Sequence, residues 1–136
     1  MMIEVHDDAV DDIEGISQIN MSDSLKLVSF IEQLCTDQRL IAKLLENGFG
    51  ENRQGPISVK KWGSVHKLEH LPVWRLRAWD LEKQGLNYRL IYFFNWMDRN
   101  YYIMAVVHRS DLDYDDKYNE IRIRVTKRIQ NEFPGI

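Results

Sequence analysis

Hydrophobic residues in the first third of the chain recur at the three- and four-residue spacing of amphipathic helices. Two such stripes follow one another. Ser22 or Asp23 can cap the first helix, and Thr36 or Asp37 can cap the second. The stripes consist of Leu27, Phe30, Ile31 and Leu34, and then of Leu40, Ile41, Leu44 and Leu45. Asn47-Gly48 is a normal helix stop, so the pattern predicts a helical hairpin.

Weaker signals precede this hairpin. Residues 2–6 alternate as in a short strand, and residues 7–20 are acidic with isoleucines at 13, 16 and 19, a weakly helical pattern. We therefore divide the single predicted domain into an acidic N-terminal extension, residues 1–21, and a main part, residues 22–136. The acidic run from Asp7 to Glu14 is expected to be a disordered solubilising tail or a segment that folds over the basic patch of the predicted strands and mimics phosphate.

In the second half of the chain the hydrophobic period changes from helical to alternating. Residues 74–79 alternate between apolar and basic side chains, as a half-buried strand does. Residues 88–95 and 101–107 are two further strands, and the polar segments 82–87 and 96–100 provide the turns. A brief strand at residues 57–59 is compatible with the sequence. The order predicts an antiparallel meander.

The last part of the chain has a clear amphipathic pattern. Acidic residues from Asp111 onward favour a helix start, and Pro134-Gly135 provides the stop. The apolar face contains Tyr114, Tyr118, Ile121, Val125, Ile129 and Phe133. The predicted fold class is therefore α+β, with a helical hairpin packed on an antiparallel meander sheet and a C-terminal helix.

Composition excludes several classes of protein. A chain of 136 residues with 44% hydrophobic and 29% charged residues forms one folded domain rather than a disordered chain. No apolar run reaches the ~20 residues that span a bilayer. The single cysteine, Cys35, excludes an internal disulfide and a thiolate zinc site, and residues 1–12 lack the pattern of a secretory signal. We expect a cytoplasmic protein without membrane partners.

Charge divides the chain into two unlike parts. Residues 1–52 carry 3 basic against 11 acidic residues, and residues 53–136 carry 15 against 10. The basic excess lies between Gly55 and Arg109, together with all four tryptophans. Basic residues interleaved with aromatic rings suit a polyanion such as RNA, and Lys60, Lys61 and Trp79 are candidates for binding it. The alternative is a solvated basic sheet over an aromatic core.

The candidate chemistry lies at the ends of the predicted strands. The chain has no glycine-rich phosphate loop, nucleophile elbow or metal-ligand spacing; His66 and His70 lack a third ligand. We expect neither a metal nor a cofactor. Guanidinium groups hold phosphates bidentately, and His or Tyr can move protons. Side chains of this kind that a meander could bring together are Arg75, Arg77, Arg89, His108, Arg109 and Tyr114.

Three sequence blocks resemble the RelE/ParE superfamily of bacterial toxins. Residues 74–77 (WRLR) are similar to its x-[KR]-x-[KR] strand, and residues 88–92 (YRLIY) to its Tyr-Arg-aliphatic-aliphatic-Tyr strand. Residues 105–114 (AVVHRSDLDY) look like its hydrophobic strand with a terminal HR-x-D-x-Y segment. The chain departs from the family in its acidity and length, and it has arginine where lysine is common.

The resemblance implies a toxin of a type II toxin-antitoxin system that cleaves mRNA in the ribosomal decoding site and is neutralised by a cognate antitoxin. The RNA 2′-hydroxyl would be the nucleophile, so no metal is needed. Arg75 and Arg77 would bind the scissile phosphate and Arg89 would stabilise the transition state, whereas His108, Arg109 and Tyr114 would supply base, acid or stacking roles. Because arginine is a poor base, proton abstraction would fall to His108 or Tyr114.

Two other readings stay open. A ParE-like inhibitor of DNA gyrase shares the scaffold but needs no His-Arg-Tyr group. An inactive relative would bind RNA or an acidic protein without cleaving it, and the acidity of the chain is compatible with that reading.

Overall fold

A five-stranded mixed sheet lies at the centre of the molecule in the computed structural model, which describes residues 1–136. Its strands, in spatial order β1-β5-β4-β3-β2, are β1 (Ile3–Val5), β2 (Ile57–Lys61), β3 (Val73–Ala78), β4 (Tyr88–Asn95) and β5 (Asn100–His108). Strands β2 to β5 form an antiparallel meander, which confirms that prediction. Strand β1 pairs in parallel with β5 at the edge and makes the sheet mixed.

Six α-helices accompany the sheet, and the predicted α+β class is confirmed. They are α1 (Asp7–Ile19), α2 (Met21–Thr36), α3 (Gln38–Ile41), α4 (Gly63–Leu68), α5 (Trp79–Lys83) and α6 (Glu120–Glu132). A short 3-10 turn covers Arg109–Asp111. The C-terminal helix α6 begins nine residues later than Asp111, where the side chain of Asn119 accepts hydrogen bonds from the first turn. None of the helices is long and apolar enough to cross a membrane.

A helical hairpin is present, but it is formed by α1 and α2, one helix earlier than predicted, with Asn20 as its link. The Asn20 N–H closes α1 by donating to Ile16, and its side chain accepts from the Asp23 N–H at 3.1 Å. Asn20 is therefore the N-cap of α2, and the prediction that Ser22 or Asp23 caps this helix is wrong. The predicted second helix shortens to α3, capped by Asp37 as expected. After Ile41 the backbone hydrogen bonds change to a three-residue spacing, from the Lys43 N–H to Leu40 and from the Leu44 N–H to Ile41, and farther along the Gly48 N–H donates to the Val59 carbonyl at 2.8 Å.

Strand alternation gives the sheet two covered faces. The face that we call the hairpin face packs against α1, α2 and α3, and its core includes Leu27, Ile41, Trp74, Leu76, Leu90 and Val106. The opposite face, which we call the α6 face, packs against α4 and α6, and its core includes Val65, Val73, Ile91, Phe93, Val125 and Ile129. The alternation predicted for residues 74–79 is confirmed as far as Ala78, since Trp74, Leu76 and Ala78 all belong to the hairpin-face core, whereas Trp79 begins α5.

A β-bulge interrupts the alternation in β5. Ile91 pairs with Ala105 and Tyr92 with Ile103, so Met104 has no partner of its own. Both Met104 and Ala105 consequently face the α6 core, and Val106 returns to the hairpin face. One extra residue in a strand inverts the facing of every residue beyond it. Each residue of β5 after the bulge therefore faces the side of the sheet opposite to the one it would face in an unbroken strand.

The acidic segment is part of the packed structure. Helix α1 contributes Ala9 and Ile16 to the hairpin-face core, and its carboxylates pair with α6 through Asp12–Arg124 at 2.7 Å and Asp8–Arg128 at 2.9 Å. The expected disordered tail and the expected cover over the basic strands are both wrong. The basic residues that attract these carboxylates lie on α6.

Asp12 also protects the open edge of β5. Strand β1 pairs with β5 only as far as Ile103, and the Asp12 carboxylate accepts the next free edge N–H, that of Val106, at 2.9 Å. The Asp12 carboxylate thus accepts hydrogen bonds both from the open edge of β5 and from the Arg124 guanidinium.

We expect Asp12→Ala to lower the free energy of unfolding by about 2 kcal/mol, because it removes charge-assisted hydrogen bonds in a half-buried site. Urea unfolding measures the change. Asp11→Ala, an exposed carboxylate on the same helix, is the control and should change stability by less than about 0.5 kcal/mol. Equal losses in the two variants would contradict this role of Asp12.

Candidate functional site

Three arginines lie side by side on the α6 face, at the end of the sheet where β3 stops and β4 begins. Arg75 and Arg77 occupy alternate positions of β3, and Arg89 is on β4. We call these three residues the arginine cluster. Their common face follows from the strand alternation that the sequence predicted. Arg75 is 8% exposed and Arg89 is 7% exposed, which is unusual for arginine.

The carboxylate of Glu82 balances part of this charge. Helix α5, between β3 and β4, places Glu82 where it accepts two hydrogen bonds from Arg77, at 3.0 and 2.8 Å. A Glu82 oxygen also lies 3.5 Å from Arg89 Nη1. Burial works to raise the pKa of Glu82, but the Arg77 hydrogen bonds and the nearby guanidinium charges outweigh it and hold that pKa below its ordinary value. Sequence reasoning missed Glu82 because it lies in a segment predicted to be a turn.

Arg75 and Arg89 retain unused hydrogen-bonding capacity. Arg75 Nη1 donates to the Ser58 hydroxyl at 3.2 Å, whereas Arg89 Nη1 is buried without a hydrogen bond of regular geometry. Burial lowers the pKa of both guanidinium groups, and the neighbouring positive charges lower it further. Arginine nevertheless stays protonated at neutral pH. The cluster therefore presents buried positive charge to any anion that reaches it.

Tyr114 covers the arginine cluster. Its hydroxyl is buried and completes no hydrogen bond of regular geometry, although Arg89 approaches it closely enough to affect its pKa. Burial raises the pKa of the phenol above its ordinary value, and the positive charges of Arg75 and Arg89 oppose this only in part. The phenol therefore keeps its proton at neutral pH and is a hydrogen-bond donor.

A buried network fixes the backbone at Tyr114. Its carbonyl accepts hydrogen bonds from Trp62 Nε1 at 2.9 Å and from the Ser64 hydroxyl. The Ser64 hydroxyl in turn accepts from Arg122 Nη1 at 2.8 Å, and Arg122, 1% exposed, is paired with Glu69. The Trp62 ring also packs edge-on against the Tyr114 ring, with centroids 5.2 Å apart. Tyr114 was predicted on the helix stripe, but it lies in the loop before α6.

His108 and Arg109 stand differently toward the arginine cluster. His108 is paired with Tyr88, and the two rings pack edge-on with centroids 5.5 Å apart on the hairpin face. Its Nδ1 accepts from the Ser110 N–H at 3.1 Å. The bulge at Met104 thus turns His108 away from the arginine cluster. Arg109, one residue on, is exposed and close enough to Arg89 for its charge to lower the Arg89 pKa.

The other residues predicted to bind RNA, namely Lys60, Lys61 and Trp79, do not all lie with the arginine cluster. Lys60 lies opposite Arg75 and so on the α6 face, whereas Lys61 lies opposite Trp74, with its Nζ 5.8 Å from the centre of that ring. Trp79 is only 4% exposed and donates to the Gly50 carbonyl at 2.9 Å. The guanidinium carbons of Arg53 and Arg77 lie 4.4 and 4.5 Å from its ring centre. Trp79 therefore supports Arg77 and offers no free ring face.

The assembled site can bind an anion and donate hydrogen bonds to it. Positive charge comes from Arg75, Arg77 and Arg89, and the Tyr114 hydroxyl is an additional neutral donor. No group of three or more His, Cys, Asp or Glu side chains is arranged to hold a metal ion. A phosphodiester in the cluster would meet donors on several sides, the arrangement that stabilises charge developing in a transition state.

Comparison of the chain with protein-family models, with curated proteins and with solved structures finds no match.

We expect the stabilising effect of Glu82 to be present at neutral pH and absent in acid. Because its pKa is lower in the folded chain than in the unfolded chain, it contributes stability above the unfolded value of 4.5 and loses it as the pH falls through the folded value. Glu82→Gln should therefore lower the free energy of unfolding more near pH 7 than near pH 3.

Urea unfolding at the two pH values measures this difference. Asp80→Asn is the matched control, since Asp80 is on the same helix but its side chain is 80% exposed. A Glu82→Gln loss that is the same at both pH values would show that the carboxylate does not act through its charge.

Proposed function

We propose that the chain is a RelE/ParE-type toxin of a type II toxin-antitoxin system, a metal-independent endoribonuclease that cleaves mRNA on the ribosome. The observation that carries the proposal is the buried, incompletely hydrogen-bonded Arg89 guanidinium beside the Tyr114 hydroxyl and Arg75. The helical hairpin, meander sheet and C-terminal helix that the resemblance implies also support it.

In the proposed reaction the 2′-hydroxyl of the RNA attacks the adjacent phosphorus and the bond to the 5′-oxygen breaks. The products are a 2′,3′-cyclic phosphate and a 5′-hydroxyl end. Arg75 and Arg89 bind the phosphate oxygens as negative charge develops on them. Tyr114 keeps its proton at neutral pH and is the proposed acid that protonates the leaving 5′-oxygen.

The general base is assigned to a group outside the chain. Of the two bases that the resemblance implied, His108 faces the other side of the sheet, and Tyr114, whose pKa is raised by burial, holds its proton and is not available as a base. In this proposal the ribosome with its bound mRNA supplies the group that accepts the 2′-hydroxyl proton, which makes cleavage ribosome-dependent. A cognate antitoxin would neutralise the toxin by covering the arginine cluster.

The same observation favours a second candidate, an RNA-binding or acidic-protein-binding relative without activity. A site with buried arginines and no neutral-pH base facing them binds a phosphate without needing to cleave the strand. Cleavage itself distinguishes the two candidates.

We expect induced expression in a bacterial host to arrest growth and to produce new mRNA 5′ ends, and Arg89→Gln to abolish both. The substitution removes the guanidinium that faces the phosphate. Growth curves and mapping of mRNA 5′ ends measure the two effects together, and circular dichroism of the purified variant checks that it folds.

Two variants are controls for this experiment. Arg39→Gln removes a fully exposed arginine on α3 (side chain 95% exposed) and His108→Ala removes the imidazole on the hairpin face; both should arrest growth as the wild type does. Arrest without new mRNA ends would point to a gyrase inhibitor. Absence of arrest in the wild type would favour the inactive relative, and loss of cleavage in His108→Ala would overturn the assigned site.

A further inference from the structure

We propose a second phosphate subsite next to the arginine cluster, which makes the ligand an extended single strand rather than an isolated phosphate. The inference rests on the proposed function and adds the path of the RNA. The subsite is a cleft of about 340 Å³ between the end of β2, the start of α4 and the Tyr114 loop. Its polar lining includes Lys60, Lys61, Ser64, Arg75 and Tyr114.

The cleft is continuous with the arginine cluster. Arg75 and Tyr114 line it, and both also belong to the group around Arg89. Arg75 is paired across the strands with Ile91, so Arg89, two residues from Ile91, is its diagonal neighbour. Diagonal neighbours in a sheet lie about 7–8 Å apart, a separation that adjacent phosphates of an extended strand can span.

Lys60 is the cation that this cleft offers to a flanking phosphate. It is exposed, it lies directly opposite Arg75 on the same face, and it has no carboxylate partner. Arg75 donates one hydrogen bond to Ser58 and is otherwise available from the floor of the cleft. Lys61 also lines the cleft, but its ammonium group lies over the Trp74 ring, and the exposed carboxylate of Asp115 is the acidic residue of the lining.

An exposed lysine outside the cleft is the control. Lys67 lies on α4, whose start borders the cleft, but Lys67 is not part of the cleft lining. Nonspecific attraction of RNA to a positive surface would depend on Lys60 and Lys67 alike, whereas the proposed subsite depends on Lys60.

The test measures binding of two fluorescent RNAs whose 2′-hydroxyls are methylated to block cleavage: a dinucleotide with one phosphate and a tetranucleotide with three. We expect the wild type to bind the tetranucleotide more tightly. Lys60→Gln should weaken tetranucleotide binding about fivefold and reduce the salt dependence by about 0.7 in log–log slope, the value for one phosphate contact on a single strand. Dinucleotide binding should not change.

Lys67→Gln should leave both affinities within twofold of the wild type. Equal weakening by the two substitutions, or equal weakening of the dinucleotide and the tetranucleotide by Lys60→Gln, would overturn the subsite while leaving the RNA site in place. Failure of the wild type to bind either RNA would overturn the proposed function and the subsite with it.

Discussion

Burial of guanidinium groups on one face of a sheet is the constraint on which the site depends. A buried charge is costly unless it is paired and hydrogen-bonded, and here one carboxylate, Glu82, serves two arginines. Because Arg77 takes both Glu82 oxygens at short distance, Arg89 is left with an incomplete set of partners. Glu82 thus stabilises the arginine cluster but does not accept from every guanidinium N–H. The N–H groups that remain free, such as those of Arg89 Nη1, can donate to a phosphate.

Much of the fold could be predicted, because it rests on local periodicity. The stripe from Leu27 to Leu34 and the alternation along β3 are properties of one element each, and both are confirmed. Helix α3 could not be predicted at its true length, since the segment after Ile41 is held by contacts with other elements, such as the hydrogen bond from Gly48 to Val59. The parallel pairing of β1 with β5 is likewise a long-range contact.

Less of the candidate site could be predicted, because strand register decides which side chains lie on the same face as the arginine cluster. Arg75, Arg77 and Arg89 were found from alternation and from the resemblance, and they do lie together. His108 would share their face in an unbroken strand, but the unpaired Met104 turns it to the other side. No signal in the sequence marks that bulge. Glu82 was missed because an acidic residue in a turn is ordinary until its arginine partners are known.

The central claim is that the group around Arg89 and Tyr114 is where an RNA phosphodiester binds. The most direct measurement is a structure of the protein with a short single-stranded RNA that carries 2′-O-methyl groups. The account predicts a phosphate within hydrogen-bonding distance of Arg89 Nη1 and the Tyr114 hydroxyl, with the strand continuing toward Lys60. A strand bound on the hairpin face beside His108, or one that leaves the arginine cluster untouched, would contradict it.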